Sequence, residues 1–349
     1  MRFWKPAIWL GFLLLTMPAA CCLAQDSFPT EMMGPADLRN QRPFQLIFLA
    51  FSPESATVLE NGRSAGSAQL DIANNLLIPR TSGIIVHEDA ETQRLALKVR
   101  RGIGRGLEAS VMLPVIARNG GILDKLVSNY HVLINDTHTT PDDAPGRNKV
   151  SSYHSEIFFT RPNGTNVVDL HPAAGLGDVQ FTLKKSLWSR GSTAGAIRGG
   201  VKLPTGNSGT LLGSGGIDTG VDLDAQASFG SRLTGFVNAS YVWMQKAHGL
   251  DAYTQRNMIH GAAAFEYYSS SHSSWVLQDD LGQPGIKTGN NFADGTQGTI
   301  SIAYKYSPRE DTLLTYAFTE NGGVVADRAS WVANVGPDPT LSFGWTRFY

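Results

Sequence analysis

The sequence predicts an all-β protein: a transmembrane antiparallel up-and-down β-barrel of about 14 strands, within a range of about 12 to 16, behind a cleaved signal peptide. Three observations predict it: an export leader, segments of about ten residues that alternate apolar and polar side chains, and tight turns that alternate with long polar loops. Of the 349 residues, 17% are charged and 37 are Gly, and the net charge is −1. Because the chain has no basic surplus, we expect no nucleic-acid partner.

The N-terminus has the three-part pattern of a secretory signal peptide. Arg2 and Lys5 precede an apolar run at 8–17, and small residues follow up to Ala24. The run is too short to cross a bilayer as a helix, which needs about 20 residues. We therefore predict that residues 1–24 are a signal peptide and that the chain leaves the cytoplasm through the Sec pathway.

Both cysteines, Cys21 and Cys22, lie inside this leader, so the predicted mature chain contains no cysteine and no disulfide. Processing as a lipoprotein, with acylation at Cys21, is the competing interpretation. Pro18 disfavours it, because an aliphatic residue usually stands three positions before the acylated cysteine.

Later segments alternate with period two, and their charged side chains fall on one face. In the segment 94–100, Leu95 and Leu97 share one face while Arg94 and Lys98 share the other. The same pattern recurs at 179–187, 197–203, 221–229, 299–306 and 314–319. A soluble β-sandwich alternates in the same way. The strand length, aromatic residues near the strand ends and the unequal connections favour a barrel in a membrane.

The number of strands follows from the positions of the termini. Both termini of a bacterial barrel normally face the periplasm, so the number of strands is even. Counting back from a last strand at Thr340–Tyr349 places every tight turn at the periplasmic end, including the Asn163-Gly164 hairpin signal. This predicts fourteen strands that begin near Ala68. The predicted domains are a signal peptide at 1–24, a periplasmic or luminal segment at 25–65 and a barrel at 66–349. The apolar run Phe44–Phe51 is left as a candidate further strand.

Spaced motifs carry a family resemblance. They are Glu91–Leu95, Leu113-Pro114, Gly120–Asp124, Tyr130-His131, Gly175–Asp178, Lys202–Gly206 and Gly213–Gly215 with Asp218. The chain resembles an uncharacterised family of Gram-negative outer-membrane β-barrel proteins, a domain of unknown function. The last three motifs are similar to a wider group of outer-membrane channels found beside aromatic-degradation pathways. The resemblance implies an outer-membrane barrel from about residue 34 onward and implies no substrate, because the family has no assigned activity.

Charged side chains on the strands are expected inside the barrel, since an Arg or Lys facing lipid at the midplane costs about 2–4 kcal/mol. Two interpretations remain open: unpaired cations line a constriction that favours anions, or the charges pair into a plug. The predicted pore-lining residues are Arg94, Lys98, Arg100, Glu108, His154, Glu156, Lys184, Arg198, Lys202, Asp222 and Asp224.

The favoured function is a porin-like channel for passive diffusion of small hydrophilic solutes, anions among them, in the cell outer membrane. The first alternative is a non-conducting structural or adhesive barrel. The second is a barrel-embedded lipid-modifying enzyme that uses Ser152, His154 and Glu156, which the alternation puts on one luminal face. We expect no catalytic step, cofactor or metal site, and we expect outer-membrane lipids and the barrel-assembly machinery as partners. The solute and the oligomeric state are left open.

Overall fold

The computed structural model describes residues 28, 30–78, 84–133, 151–290, 293–322, 336–337 and 339–349. The predicted signal peptide lies outside these residues. Two α-helices, α1 (Pro43–Leu46) and α2 (Asp124–Leu133), are present in the described part of the chain. Its strands are β1 (Ser64–Leu77), β2 (Ile85–Gly104), β3 (Leu107–Asn119), β4 (Glu156–Thr160), β5 (Asn166–Leu170), β6 (Ala173–Leu176), β7 (Val179–Arg190), β8 (Thr193–Leu203), β9 (Asp218–Phe229), β10 (Leu233–Trp243), β11 (Asn257–Ser270), β12 (Ser273–Gly282), β13 (Gln297–Arg309), β14 (Thr312–Asn321) and β15 (Thr340–Phe348).

The described strands form one closed antiparallel barrel. Its sheet contains fifteen strands, and leaving out β4, β5 and β6 gives the twelve that form the wall. Each wall strand pairs with its neighbour, β3 pairs with β7, and β1 closes the ring against β15 from Ala65↔Phe348 to Ala73↔Thr340. Closure leaves no unpaired edge, which is the condition for strands to cross a bilayer.

The strand count corrects the sequence prediction. Strands β4 and β5 have five residues each and form a hairpin that pairs with Ile85–Asp89 of β2, while β6 pairs with the end of β3. A spanning strand needs about 9–11 residues, so this hairpin is too short to cross. The described wall therefore has twelve strands, two fewer than the fourteen predicted and at the lower limit of the predicted range. The Asn163-Gly164 turn therefore lies at the end of the barrel opposite the tight turns.

The tight turns share one end of the barrel with the start of β1 and the end of β15. They follow Gly104, Arg190, Phe229, Ser270 and Arg309. In the first of them, Gly104, Arg105 and Gly106 have φ angles of 86°, 53° and 69°, which require the freedom of glycine on both sides of Arg105. We call this the tight-turn end and the opposite end the loop end.

The wall has an apolar outer face and a polar inner face, as the alternation predicts. Leu97, Leu183 and Leu223 are exposed on the outside, whereas Lys184 and Asp224 are buried inside. Exposed aromatic residues lie on the outer face as well: Trp188, Trp243, Trp275, Tyr306, Tyr316, Phe343 and Trp345. None of the helices in the described part of the chain has the length and hydropathy needed to cross a membrane.

Residues 30–60, which we call the luminal finger, lie inside the barrel. Met32 packs against Tyr268 and Phe348 at the tight-turn end. The chain then runs to the loop end, where α1 begins with Pro43 at its first position, and Phe48 is completely buried. It returns to Leu59 at the tight-turn end. The apolar run Phe44–Phe51 is thus the tip of the finger and not a further strand.

The placement of the Asn163-Gly164 turn gives a labelling prediction. In intact Gram-negative cells, Thr165→Cys should react with a membrane-impermeant maleimide, because tight turns of such barrels face the periplasm and the loop end faces outward. Ser231→Cys, in the turn after Phe229, is the matched exposed control and should react only after the outer membrane is permeabilised. The reverse pattern would contradict the topology described above.

Candidate functional site

The tip of the finger is held by a buried lysine. Lys202, at 0% exposed, donates from Nζ to the carbonyl of Ile47 at 2.8 Å and to Asp178 Oδ2 at 2.8 Å. The same ammonium lies 3.1 Å from Asp218 Oδ2 and also donates to Ser214 Oγ. We call Lys202, Asp178, Asp218 and Ser214 the Lys202 cluster. This cation of β8 therefore contacts strand β9, two loops and the finger together.

The Lys202 cluster brings together motifs that are far apart in sequence. Asp178 Oδ1 accepts from the amide of Gly206 at 2.8 Å, and Asp178 Oδ2 accepts from the amide of Ser214 at 3.0 Å. Asp218 Oδ2 accepts from the amide of Leu49 at 3.0 Å. The Gly-Leu-Gly-Asp, Lys-Leu-Pro-Thr-Gly and Gly-Ser-Gly motifs thus form the wall site that binds the finger tip.

Halfway down the lumen, one carboxylate of the finger meets three cations of the wall. Glu54 contacts Lys98 of β2, and its carboxylate oxygens lie 3.3 Å from both Lys184 of β7 and Arg198 of β8. Burial raises the pKa of Glu54, but these cations outweigh it and hold that pKa well below its ordinary value. Glu54 is therefore ionised at neutral pH and links three wall strands to the finger.

Arg198 also pairs within the wall. Its guanidinium donates to Asp222 Oδ2 at 2.7 Å and to Asp224 Oδ1 at 3.0 Å. Phe51 of the finger covers it, with the ring centroid 5.4 Å from Cζ. The ring fits because Gly200 has no side chain: a Cβ there would lie 2.8 Å from the Phe51 Cζ atom.

The two arms of the finger are also fixed at the tight-turn end. Lys305 lies 2.8 Å from Glu266 Oε1 and donates to the carbonyl of Gly34 at 3.0 Å, while the amide of Gly34 donates to Glu266 Oε2 at 2.7 Å. On the returning arm, the amide of Leu59 donates to Glu108 Oε2 at 2.8 Å. Backbone groups of the finger thereby add hydrogen bonds to charged groups that are buried in the wall.

The first arm carries a second set of contacts near the loop end. Arg42 donates from Nε to Glu88 Oε2 at 2.9 Å, and its Nη2 also contacts this carboxylate. Gln41 donates to Asp71 Oδ2 at 3.0 Å, and Arg94 of the wall lies 3.1 Å from the same oxygen. Wall and finger thus share one network of charges.

Nine of the eleven predicted pore-lining residues face the lumen, and each has a polar partner there. Arg100 lies 3.6 Å from Glu108, and Lys98 lies 3.3 Å from Asp37. The nine are Arg94, Lys98, Arg100, Glu108, Lys184, Arg198, Lys202, Asp222 and Asp224. Their role in permeation stays a prediction.

The prediction that His154 and Glu156 line the lumen was wrong. The predicted luminal strand does not exist there, because residues 151–155 lie outside the strands and Glu156 begins the short β4, which is outside the twelve-strand wall. Both side chains are exposed, as is Ser152, and the described residues show no hydrogen bond among these three. Glu156 instead lies 3.6 Å from His87. The geometry of a Ser-His-acid site is therefore absent from this segment.

Sequence reasoning did not place several residues that bind the finger. Asp178, Ser214 and Asp218 were part of the family motifs without a role, and the contacts of Glu54 and Glu266 gave no sequence signal. Within the described residues, no group of three or more His, Cys, Asp and Glu side chains is arranged to hold a metal ion.

Two cavities flank the finger. The larger, of about 150 Å³, lies between the finger and a wall region that includes β1, β2, β3, β7 and β15. The smaller, of about 40 Å³, lies near the loop end between the finger and β11, β12 and β13. Arg39 of the finger borders both.

The model of a family described as "Protein of unknown function (DUF3187)" matches residues 11–327. The chain belongs to this family. The match confirms the resemblance that the spaced motifs indicate. No curated protein matches the chain.

Solved structures share the fold of this DUF3187 chain. The COG4313 outer membrane channel from Pseudomonas putida F1 aligns with a TM-score of 0.57 and 10% identity, over 86% of this chain and 100% of that chain. The CymD monoaromatic hydrocarbon channel aligns with a TM-score of 0.39 and 10% identity, over 95% and 99%. A FadL homologue from Pseudomonas aeruginosa aligns with a TM-score of 0.39 and 10% identity, over 93% and 98%. The alignment with the COG4313 channel shows that the DUF3187 chain shares the fold of that barrel.

Loss of the central ammonium should destabilise this DUF3187 chain strongly. Lys202→Met leaves Asp178 and Asp218 as buried carboxylates without their cation, and breaking such a pair costs about 3–5 kcal/mol. Urea unfolding of the refolded protein in lipid vesicles, followed by tryptophan fluorescence, measures the change. Arg190→Met is the control, because Arg190 is exposed at the tight-turn end of β7 and should change the free energy of unfolding little. Equal stability of the two variants would contradict the role assigned to Lys202.

Proposed function

We propose that the chain is an outer-membrane channel for small hydrophilic solutes and that the luminal finger closes it. The observation that carries this proposal is the finger itself, a segment that occupies the lumen without pairing into the wall as a strand. The proposal places the protein in the outer membrane of a Gram-negative cell after export, with lipids around the apolar belt and insertion by the barrel-assembly machinery.

The chemistry of the contacts supports a closing role over a permanent filling. Many contacts of the finger with the wall are hydrogen bonds and ion pairs, such as those of Glu54, Gly34 and Leu49. Water replaces such contacts when the finger leaves, so the net contribution of each is about 0.5–1.5 kcal/mol for an ordinary hydrogen bond and about 1.5–3 kcal/mol for one to a charged group. A finger held in this way can leave and return, whereas the ladder of backbone bonds between wall strands keeps the barrel closed.

The charged inner face of the wall supports the proposal that the solutes are hydrophilic. Without the finger, the inner face would present Lys98, Lys184 and Arg198 opposite carboxylates such as Asp222 and Asp224 to water. A lumen with such a surface suits hydrophilic solutes, as polar pore linings do in other barrels. The likeness to the COG4313 outer membrane channel supports the barrel architecture that a channel needs.

A non-conducting structural barrel is the second candidate. It is favoured by the pairing of each predicted luminal cation with a carboxylate of wall or finger, which leaves no free basic ring on the described inner face. Because of this pairing, reversing the charges of Arg198 and Lys202 is not a clean test of ion selectivity. The two substitutions would break the binding site of the finger, so a change in the reversal potential could come from the displaced finger instead of from an ion filter.

Planar-bilayer conductance of a Gly200→Ala variant tests the proposal. The added methyl overlaps the Phe51 ring, and overpacking of this kind costs about 1–3 kcal/mol, a roughly 5- to 150-fold shift toward the open state. We expect brief, rare steps from the natural protein and a higher open probability from Gly200→Ala. Gly199→Ala is the matched control, because a Cβ at Gly199 has nothing within 4 Å.

Two results would reject parts of the proposal. Silence of all three proteins, each shown to be folded by heat-modified gel mobility, would reject the channel and favour the structural barrel. Full, steady conductance of the natural protein, unchanged in Gly200→Ala, would reject closure by the finger while keeping the channel.

A further inference from the structure

We propose that the larger cavity beside the finger binds a small organic carboxylate and that Arg39 is its anion-binding residue. This inference rests on the proposed function, because it names the class of solute that would enter the lumen. It depends on three features: a buried cation without a counter-ion, a cavity beside that cation and an apolar lining on the same cavity.

Arg39 is buried in the finger without an ion pair. It is 9% exposed, and its Nη2 donates to the backbone carbonyls of Gln45 at 2.8 Å and Phe48 at 3.3 Å. Within the described residues, no carboxylate lies within 4.0 Å of its guanidinium, and its Nε has no hydrogen-bond partner. Two neutral carbonyls orient the side chain, and the carboxylates of Asp71 and Asp37 act on it only from beyond 4.0 Å.

Arg118 of β3 is likewise buried with backbone carbonyls as partners, but it lines neither of the two cavities. Six other lumen cations differ from Arg39 in this respect. Arg42, Lys98, Lys184, Arg198, Lys202 and Lys305 each lie within 4.0 Å of at least one carboxylate. The acidic residues that line the larger cavity are already engaged: Asp37 and Glu54 with Lys98, and Glu31 with Arg63. A buried cation is costly unless an opposite charge compensates it, so an anion in the cavity would supply what the chain does not.

The charge of Arg39 persists at neutral pH. Burial and the nearby cation of Arg94 lower the pKa of Arg39 to about 9, although the carboxylates of Asp71 and Asp37 partly oppose the shift. A group with that pKa is still protonated at pH 7. The guanidinium therefore offers donors and a full positive charge to an anion, in the planar arrangement that suits a carboxylate.

The cavity has the size and lining for an acid with a small apolar body. Its volume of about 150 Å³ is enough for a ring the size of benzene. Arg94, Lys98 and Arg100 also line the cavity, each paired with a carboxylate, and Phe51 and Met112 supply apolar surface. A compact carboxylate with an apolar body meets both Arg39 and the apolar surface, whereas a cation meets the like charge of Arg39.

Isothermal titration of the folded protein in detergent with benzoate, in low-chloride buffer, tests the site. Benzamide, the neutral analogue of the same shape, is the ligand control. We expect saturable binding of benzoate, at least tenfold weaker binding of benzamide, and a loss of at least tenfold in benzoate affinity in Arg39→Gln. Arg39→Lys should recover part of that loss. Arg190→Gln, which removes an exposed arginine from a tight turn, should leave benzoate binding unchanged.

Three outcomes would overturn the inference: no saturable benzoate binding to the natural protein, equal affinity for benzoate and benzamide, or unchanged benzoate affinity in Arg39→Gln. If Arg39→Gln does not fold, the comparison of benzoate with benzamide on the natural protein still decides. The titration needs no conduction, so binding by a protein that is silent in bilayers would keep the site and reject the channel. Conductance without benzoate binding would keep the channel and reject the site.

Discussion

The buried ammonium of Lys202 is the interaction on which the arrangement of the lumen depends. It is balanced by Asp178, in the connection before β7, and by Asp218, the first residue of β9, and it donates to the carbonyl of Ile47 in the finger. Each partner is needed, because losing one leaves an unpaired charge or polar atom in a site without solvent. The Lys202 cluster therefore explains why three separated glycine-containing motifs meet at one place, and why the finger turns there.

Elsewhere in the lumen, too, buried charges pair between the wall and the finger. Glu54 of the finger meets three wall cations at mid-height, and Glu266 of the wall meets Lys305 and the amide of Gly34 at the tight-turn end. Glycine leaves room for the finger, as at Gly200, where the absence of a side chain allows the ring of Phe51 to pack against the wall. The interior thus combines ion pairs and hydrogen bonds with an apolar core at the finger tip, where Ile47, Phe48 and Leu49 are fully buried. Such an interior specifies one position for the finger, and its polar groups remain compatible with water when the finger is elsewhere.

Much of the wall was predictable because its signal is local. Alternation places Arg94, Lys98 and Arg198 inside for the same energetic reason in every strand. The count of fourteen was wrong because the Asn163-Gly164 signal specifies a hairpin and carries no information about which end of the barrel the hairpin occupies. The position of the finger could not be predicted, because a short apolar run such as Phe44–Phe51 has the same sequence pattern in a strand, in a helix and in a buried core segment. The partners of Asp178 and Glu54 are set by contacts between distant parts of the chain, which no local pattern records.

Hydrogen–deuterium exchange of the refolded protein tests the central claim, the occupation of the lumen by the finger, most directly. The amides of Gly34, Ala36, Leu49, Ala56 and Leu59 each donate to a side chain of the wall. The account predicts that peptides covering 34–59 exchange slowly, on a timescale approaching that of the strands β8 and β9. Complete exchange of these peptides within seconds, while the strands stay protected, would contradict it.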